Sequence, residues 1–193
     1  MEDKKSLIYD CAKELFSEKG FKDTNIAQIT DKANIAVGTF YTYYPSKEKL
    51  FLDIFLEENT ALKKACLQAI DRNQSPEEVV AQMLSLNAQG ISTSPILKEW
   101  YNKKVFAKIE KLYREEHGLQ SVDFLYDSFL GLVEQWQAQG SIRKDIDSRM
   151  IMLVFGAIIN IDVHKEEIGV EYFPHLLLIM TELIMQGLKE QAV

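Results

Sequence analysis

Between Thr24 and Glu48 the residues spell out two short helices, a tight corner between them and the capped start of a third. Ile26, Ile29, Thr30 and Ala33 fall on one helical face, and small Ala33 lets a following helix cross close to the backbone. Asn34 is the nearby residue that most readily takes the left-handed conformation the corner needs. A second helix starts near Val37, with Phe40 and Tyr44 turned inward at i, i+4. Its other face carries Gly38, Thr39, Thr42 and Tyr43, small or hydroxyl-bearing groups suited to close approach to a groove and its phosphates. Pro45-Ser46-Lys47-Glu48 ends that helix and caps the third, whose free N–H groups and Lys47 offer a phosphate site. A helix-turn-helix of this shape implies a reader of double-stranded DNA.

The rest of the chain is also helical in pattern, so the expected fold class is all-α. Ile8, Cys11, Ala12, Leu15 and Phe16 follow i, i+3, i+4, i+7, i+8, and Gly20 closes that helix. From Lys47 to about Asp71 the residues Leu50, Phe51, Ile54, Phe55, Leu62, Ala65 and Ile70 predict one long helix. It joins a head, residues 1–50, to a helical-bundle domain, residues 51–193. Ser75-Pro76-Glu77-Glu78 is a capping box opening a helix to about Gly90, and Ser94-Pro95 opens another whose continuation Gly118 closes. Further helices are predicted from about Ser121 to Gln139, stopped by Gly140, from about Arg149 to His164 with Asp147 as its cap, and from about Glu171 to Lys189.

These residues resemble the tetracycline-repressor (TetR) family of bacterial one-component regulators. Ile8, Cys11, Ala12, Leu15, Phe16, Gly20, Phe21 and Thr24 match the family's first helix and its exit, followed by Gly38-Thr39-Phe40-Tyr41 and Tyr43-Tyr44-Pro45-Ser46-Lys47-Glu48. Residues 5 to 52 align without a gap. Two positions depart from the family pattern: Asn34 stands where Gly is usual, and Ala36 where Ser often caps the recognition helix. With that cap missing, docking should lean more on Thr24, Tyr43 and Lys47. The set expected to face DNA is Thr24, Asn25, Gln28, Val37, Gly38, Thr39, Tyr41, Thr42, Tyr43 and Lys47.

Charge is unevenly placed. The formal net charge is −7, yet the first fifty residues carry eight lysines and eight carboxylates, so the excess acid lies entirely beyond them. A neutral head must bind DNA through a few placed contacts rather than bulk attraction. Two cysteines, Cys11 and Cys66, and an N-terminus rich in charge point to a reducing cytoplasm with no secretory segment. The apolar run Met150–Ile161 is 12 residues, short of the roughly 18 that span a bilayer. His117, His164 and His175 have no metal-ligand spacing, no nucleophile motif or phosphate-cradling loop is present, and neither cofactor nor catalysis is expected.

In the second domain the last two helices are apolar on most sides, more than one subunit's core requires. The resemblance implies that they form a four-helix bundle with the same pair of a second subunit, and Phe155, Ile158, Leu177, Met180 and Ile184 are the expected interface. A homodimer places two heads to read a palindromic operator with half-sites about 34–36 Å apart. Aromatic residues gather between Trp100 and Trp136. Trp100, Tyr101, Phe106, Tyr113, Tyr126, Phe129 and Trp136, with Met83 and Asn87, suit the wall of a site for an apolar or aromatic small molecule, or else ordinary core. The resemblance further implies a repressor that releases its operator when the effector shifts the long helix. Two other readings remain open: an activator or protein–protein interaction module on the same fold, which the neutral head favours, and an all-α enzyme.

Overall fold

A computed structural model describes residues 4–116 and 123–189, and within them every regular element is helical. The helices are α1 (Lys4–Lys19), α2 (Ile26–Lys32), α3 (Val37–Tyr43), α4 (Lys47–Ala69), α5 (Pro76–Thr93), α6 (Lys103–Glu115), α7 (Asp123–Gln139), α8 (Ser148–Val163), the single turn α9 (Lys165–Ile168) and α10 (His175–Leu188). Short 3-10 turns, Leu97–Tyr101 and Val170–Tyr172, precede α6 and α10. The predicted features at His117, Gly118 and Ser121 lie outside the described residues.

Local chemistry accounts for most boundaries. Asn34 takes φ +51°, the left-handed corner between α2 and α3, and Gly20 and Gly140 take φ +79° and +74° after α1 and α7. Ser75 and Glu78 close the capping box, with Ser75 N–H donating to Glu78 Oε2 at 3.0 Å and Glu78 N–H to Ser75 Oγ at 3.3 Å. Asp147 accepts from Arg149 N–H at 2.9 Å at the start of α8.

Three boundaries differ from expectation, one for packing and two for local backbone chemistry. Gly90 does not end α5, which runs on to Thr93; a Cβ there would lie 2.2 Å from Leu62 Cδ1, so this glycine allows α4 and α5 to approach. Ser94 opens only a 3-10 turn, its Oγ accepting from Leu97 N–H at 3.1 Å, and Asn102 caps the longer helix α6 by accepting from Lys104 N–H at 3.2 Å. The last helix starts at His175 rather than Glu171, because Pro174 supplies no N–H to continue a helix through it.

The chain divides into two compact units, Met1–Leu62 with Gln89–Ser121, and Lys63–Ala88 with Val122–Val193. The first therefore holds residues 51–62 and 89–121 as well as the helix-turn-helix head. Ile8, Ala12, Phe16, Phe21, Ile29, Phe40, Leu50, Phe51, Leu52 and Ile54 are all at most 1% exposed in it. Phe51 meets Phe16 and Phe21 edge-on, with centroids 5.1 and 4.9 Å apart. The second unit is centred on Ile70, Val79, Val80, Leu132, Val133, Trp136, Ile151, Met152, Met185 and Leu188, with α8 packed on α7 and α10.

Candidate nucleic-acid interface

The corner at Asn34 turns α3 so that Phe40 and Tyr44 are buried, while Val37, Gly38, Tyr41 and Thr42 are exposed and Thr39 and Tyr43 half-exposed. Val37 and Tyr41, 46% and 55% exposed, are large apolar surfaces left to solvent one turn apart. Gly38 lies between them, and a Cβ added there meets nothing within 4 Å. The fold therefore does not require glycine at this position. Ala36 begins α3 without a side-chain cap, as its methyl dictates.

Around this face, Asn25 and Gln28 form a reciprocal capping box at the start of α2, each backbone N–H donating to the other's side-chain oxygen at 2.9 Å. Asn25 is exposed and Gln28 half-buried, so both can meet a phosphate only in exchange for, or alongside, this cap. Ser46, absent from the expected set, caps α4 by accepting from Lys49 N–H at 3.1 Å. Asn25, Ile26, Tyr41, Pro45, Ser46, Lys47 and Glu48 line an open depression of ≈ 380 Å³ beside α3.

Thr24 and Lys47 sit differently from expectation. Thr24 is 1% exposed, and its hydroxyl lies 3.2 Å from Leu15 O and 2.9 Å from Gly20 O at the end of α1. Lys47 Nζ donates to Phe21 O at 2.7 Å and Thr24 O at 2.6 Å, and lies 4.1 Å from the Phe21 ring centroid. Burial, with a smaller push from Lys108, holds this ammonium below its ordinary pKa against the pull of Glu48 and Asp23. Together the two side chains fasten the start of α2 to α1 and α4, so the phosphate contact expected of Thr24 is replaced by an internal one. Lys47 reads the same way from its partners. A buried hydroxyl and an exposed one look alike in sequence, because both favour a helix start.

The nine residues expected around an effector fall in both units. In the first, Trp100 stacks on Phe55 at 5.0 Å and meets Phe106 and Tyr113 at 4.8 Å each; these are buried core, with Tyr101 half-buried. In the second, Met83 and Phe129 pack against the cluster that contains Trp136, Asn87 is half-buried and Tyr126 is 36% exposed. The Trp136 indole N–H is buried with no hydrogen-bond partner among the described residues.

Of the residues expected at a dimer interface, Ile158 is 6% exposed inside its own unit, and Phe155 and Ile184 pack against that unit's core. Leu177 and Met180 are half-buried. Among the apolar side chains left to solvent, Met150, Leu153 and Val154 on α8 are neighbours in helical register, as are Ile179 and Leu183 on α10, the last 62% exposed; Ile159 and Leu178 on the same helices are exposed as well. Both helices are apolar on most sides, so periodicity alone could not tell the inward stripe from the outward one.

An all-helical chain whose helix-turn-helix head exposes a small-residue helix face belongs to the class of helix-turn-helix DNA-binding regulators. Residues 8–54 match the family model of bacterial regulatory proteins of the tetR family. The helix-turn-helix head of the chain, residues 8–54, is that of the TetR family. It is 41% identical over 54 residues to YuxN, an HTH-type transcriptional regulator of Bacillus subtilis, which covers 28% of this chain and 19% of that protein. To the fatty acid metabolism regulator protein of Bacillus subtilis it is 22% identical over 156 residues, 78% of this chain and 77% of the other. Thermus thermophilus FadR, a TetR-family transcriptional repressor solved in complex with lauroyl-CoA, shares the fold with a TM-score of 0.65 at 21% identity, covering 98% and 97% of the two chains.

Proposed function

We propose that the protein is a homodimeric transcriptional repressor that holds a palindromic operator when empty and releases it when a small molecule binds the second unit. The observation that carries the DNA reading is the outward face of α3, where Gly38 is free of packing between exposed Val37 and Tyr41. Asn25, Gln28, Thr39, Thr42 and Tyr43 border that face and supply positioning contacts to sugar and phosphate. Head neutrality does not oppose this, since register is set by placed groups rather than by net charge.

Dimerisation is supported by the solvent-facing apolar stripe of α8 and α10, which a second copy buries by two-fold symmetry. The effector carries a sizeable apolar part, as Met83, Phe129 and Trp136 suggest, and lauroyl-CoA in the Thermus thermophilus repressor brings such a part in its acyl chain. Its binding shifts α4, which contributes residues to both units, and the two heads lose their operator spacing. Such a protein works in the cytoplasm, and no helix among the described residues is long and apolar enough to cross a membrane.

A gel-shift with the DNA upstream of the protein's own coding region tests the proposal. Retardation at nanomolar protein that survives competitor DNA supports it; no preference over random DNA at any salt concentration would falsify it and leave the interaction-module reading.

A further inference from the structure

Three helices of the second unit carry a polar residue where their apolar stripes call for a hydrophobic one. On α4, Lys63 stands three, four and seven residues before Cys66, Leu67 and Ile70. On α5, Asn87 stands three, four and seven residues after Leu84, Met83 and Val80. On α8, Asp162 follows Ile158 by four and Phe155 by seven. The fold brings these three exceptions together: the Lys63 ammonium donates to Asn87 Oδ1, and Asp162 is the carboxylate whose field reaches it.

Within this cluster the Lys63 ammonium is short of acceptors in direct contact. An ammonium has three N–H donors, yet among the described residues Lys63 makes one hydrogen bond, to a neutral amide, and no ion pair. Asn87's own amide N–H groups have no partner among the same residues. Cys66, one turn along α4, supplies no counter-charge, because burial pushes its thiol pKa up despite the neighbouring cation. Fully buried Lys165 donates to the Asp162 carbonyl at 3.0 Å. Lys63 as a whole is half-buried, but burial around its charged end pushes its pKa down to about 8. A folded chain keeps such a group at a cost in stability, which an incoming anion removes.

The geometry points to Lys63 and Asn87 as the seat of an acidic group on the effector, so that the ligand is a carboxylate-bearing amphiphile. An ammonium and an amide N–H2 side by side match the two oxygens and single charge of a carboxylate. Leu67, Met83 and Phe129 pack against the cluster of Ile70 and Trp136, and Ile70, the first residue past α4, lies seven residues from Lys63, about 10 Å at the helical rise. A medium-chain acid carries an apolar body of about that length. This inference rests on the reading of the second unit as an effector domain and adds the chemistry of the head group, which a neutral thioester or alcohol does not satisfy.

Calorimetric titration of the full chain with sodium decanoate and with decan-1-ol, on the wild type and on Lys63→Met and Lys63→Arg, tests it. Decanoate should bind the wild type and lose on the order of tenfold in affinity in Lys63→Met, as for a lost hydrogen bond to a charged group. Lys63→Arg should restore most of the loss, and decanol should not distinguish the variants. Lys63→Met should melt no lower than the wild type; a lower melting temperature would make Lys63 a prop of the fold and overturn the assignment. Equal decanoate affinity in wild type and Lys63→Met overturns it too. Decanol binding without decanoate binding removes the acidic head group but leaves the effector domain standing. If neither binds, the carboxylate assignment falls, and operator release by other small molecules decides the broader reading separately.

Discussion

The two units of the chain differ in how completely they pair their polar groups, although buried Lys165 and Thr181 of the second unit are themselves hydrogen-bonded. In the first, Thr24 and Glu99, although buried, are satisfied by neighbours: Leu15 and Gly20 carbonyls for Thr24, and the Asn102 amide at 2.7 Å for Glu99. Half-buried Lys47 spends its ammonium on two carbonyls and an aromatic ring. In the second, Lys63 and Trp136 keep N–H donors without partners among the described residues, and an apolar stripe on α8 and α10 faces solvent. A unit that settles its own polar groups is a finished platform for α3. One with unspent donors and uncovered apolar surface is built to be completed by other molecules.

The strongest challenge to this contrast is a charge placed on either side of α8. Leu153→Asp should yield folded monomer, because the carboxylate stays in water in one subunit but costs several kcal/mol in a dimer seam. Ile158→Asp should instead fail to fold, since Ile158 is buried within its own unit. Sedimentation and circular dichroism separate the outcomes; a dimeric Leu153→Asp would place the interface elsewhere.

Next in size are the fastenings of the head. Removing the ammonium in Lys47→Met leaves Phe21 O and Thr24 O without their donor, and stability should fall by about 1–3 kcal/mol. DNA affinity should fall with it, for specific and random sequences alike. If the melting temperature is unchanged while affinity drops and the salt dependence flattens, Lys47 is a phosphate contact after all.

A smaller, pH-dependent effect marks the second unit. Burial lowers the Lys63 pKa from its ordinary 10.5 to about 8, with Asp162 and Cys66 as the titratable groups facing it. Between those values the unfolded chain binds more protons, so this group's contribution makes the folded state more stable as pH rises from about 8 toward 10. Denaturant midpoints should therefore climb over that interval in the wild type relative to Lys63→Met. Parallel curves for the two proteins would remove the claim that the ammonium is buried at a cost.

The smallest expected change is Gly38→Ala. Replacing glycine inside an exposed helix should add up to about 1 kcal/mol of stability, since the new methyl meets nothing. Operator affinity should nonetheless fall. Unaltered affinity would mean that no partner surface approaches α3 there.

Much of this architecture was legible in sequence because it rests on local chemistry. The positive φ at Asn34, the capping box at Ser75 and Glu78, the Asp147 cap and the uncapped start of α3 at Ala36 all follow from what a residue can do to its own backbone. Gly90 and Pro174 misled for opposite reasons. Gly90 reads as a stop by composition but serves as a crossing point against Leu62, whereas Pro174 is a breaker hidden in an otherwise strong apolar pattern.

What sequence could establish was therefore the all-helical class, the helix-turn-helix corner and the family, each carried by short-range spacing within 8–54 or by helical periodicity. Tertiary packing alone separated Thr24 and Lys47 from the outward face of α3, told Ile158 from Leu153 on one apolar helix, and joined Lys63 to Asn87, 24 residues apart. The physical reason is that a side chain's direction in a helix is periodic, but which side meets solvent depends on what the rest of the chain lays against it.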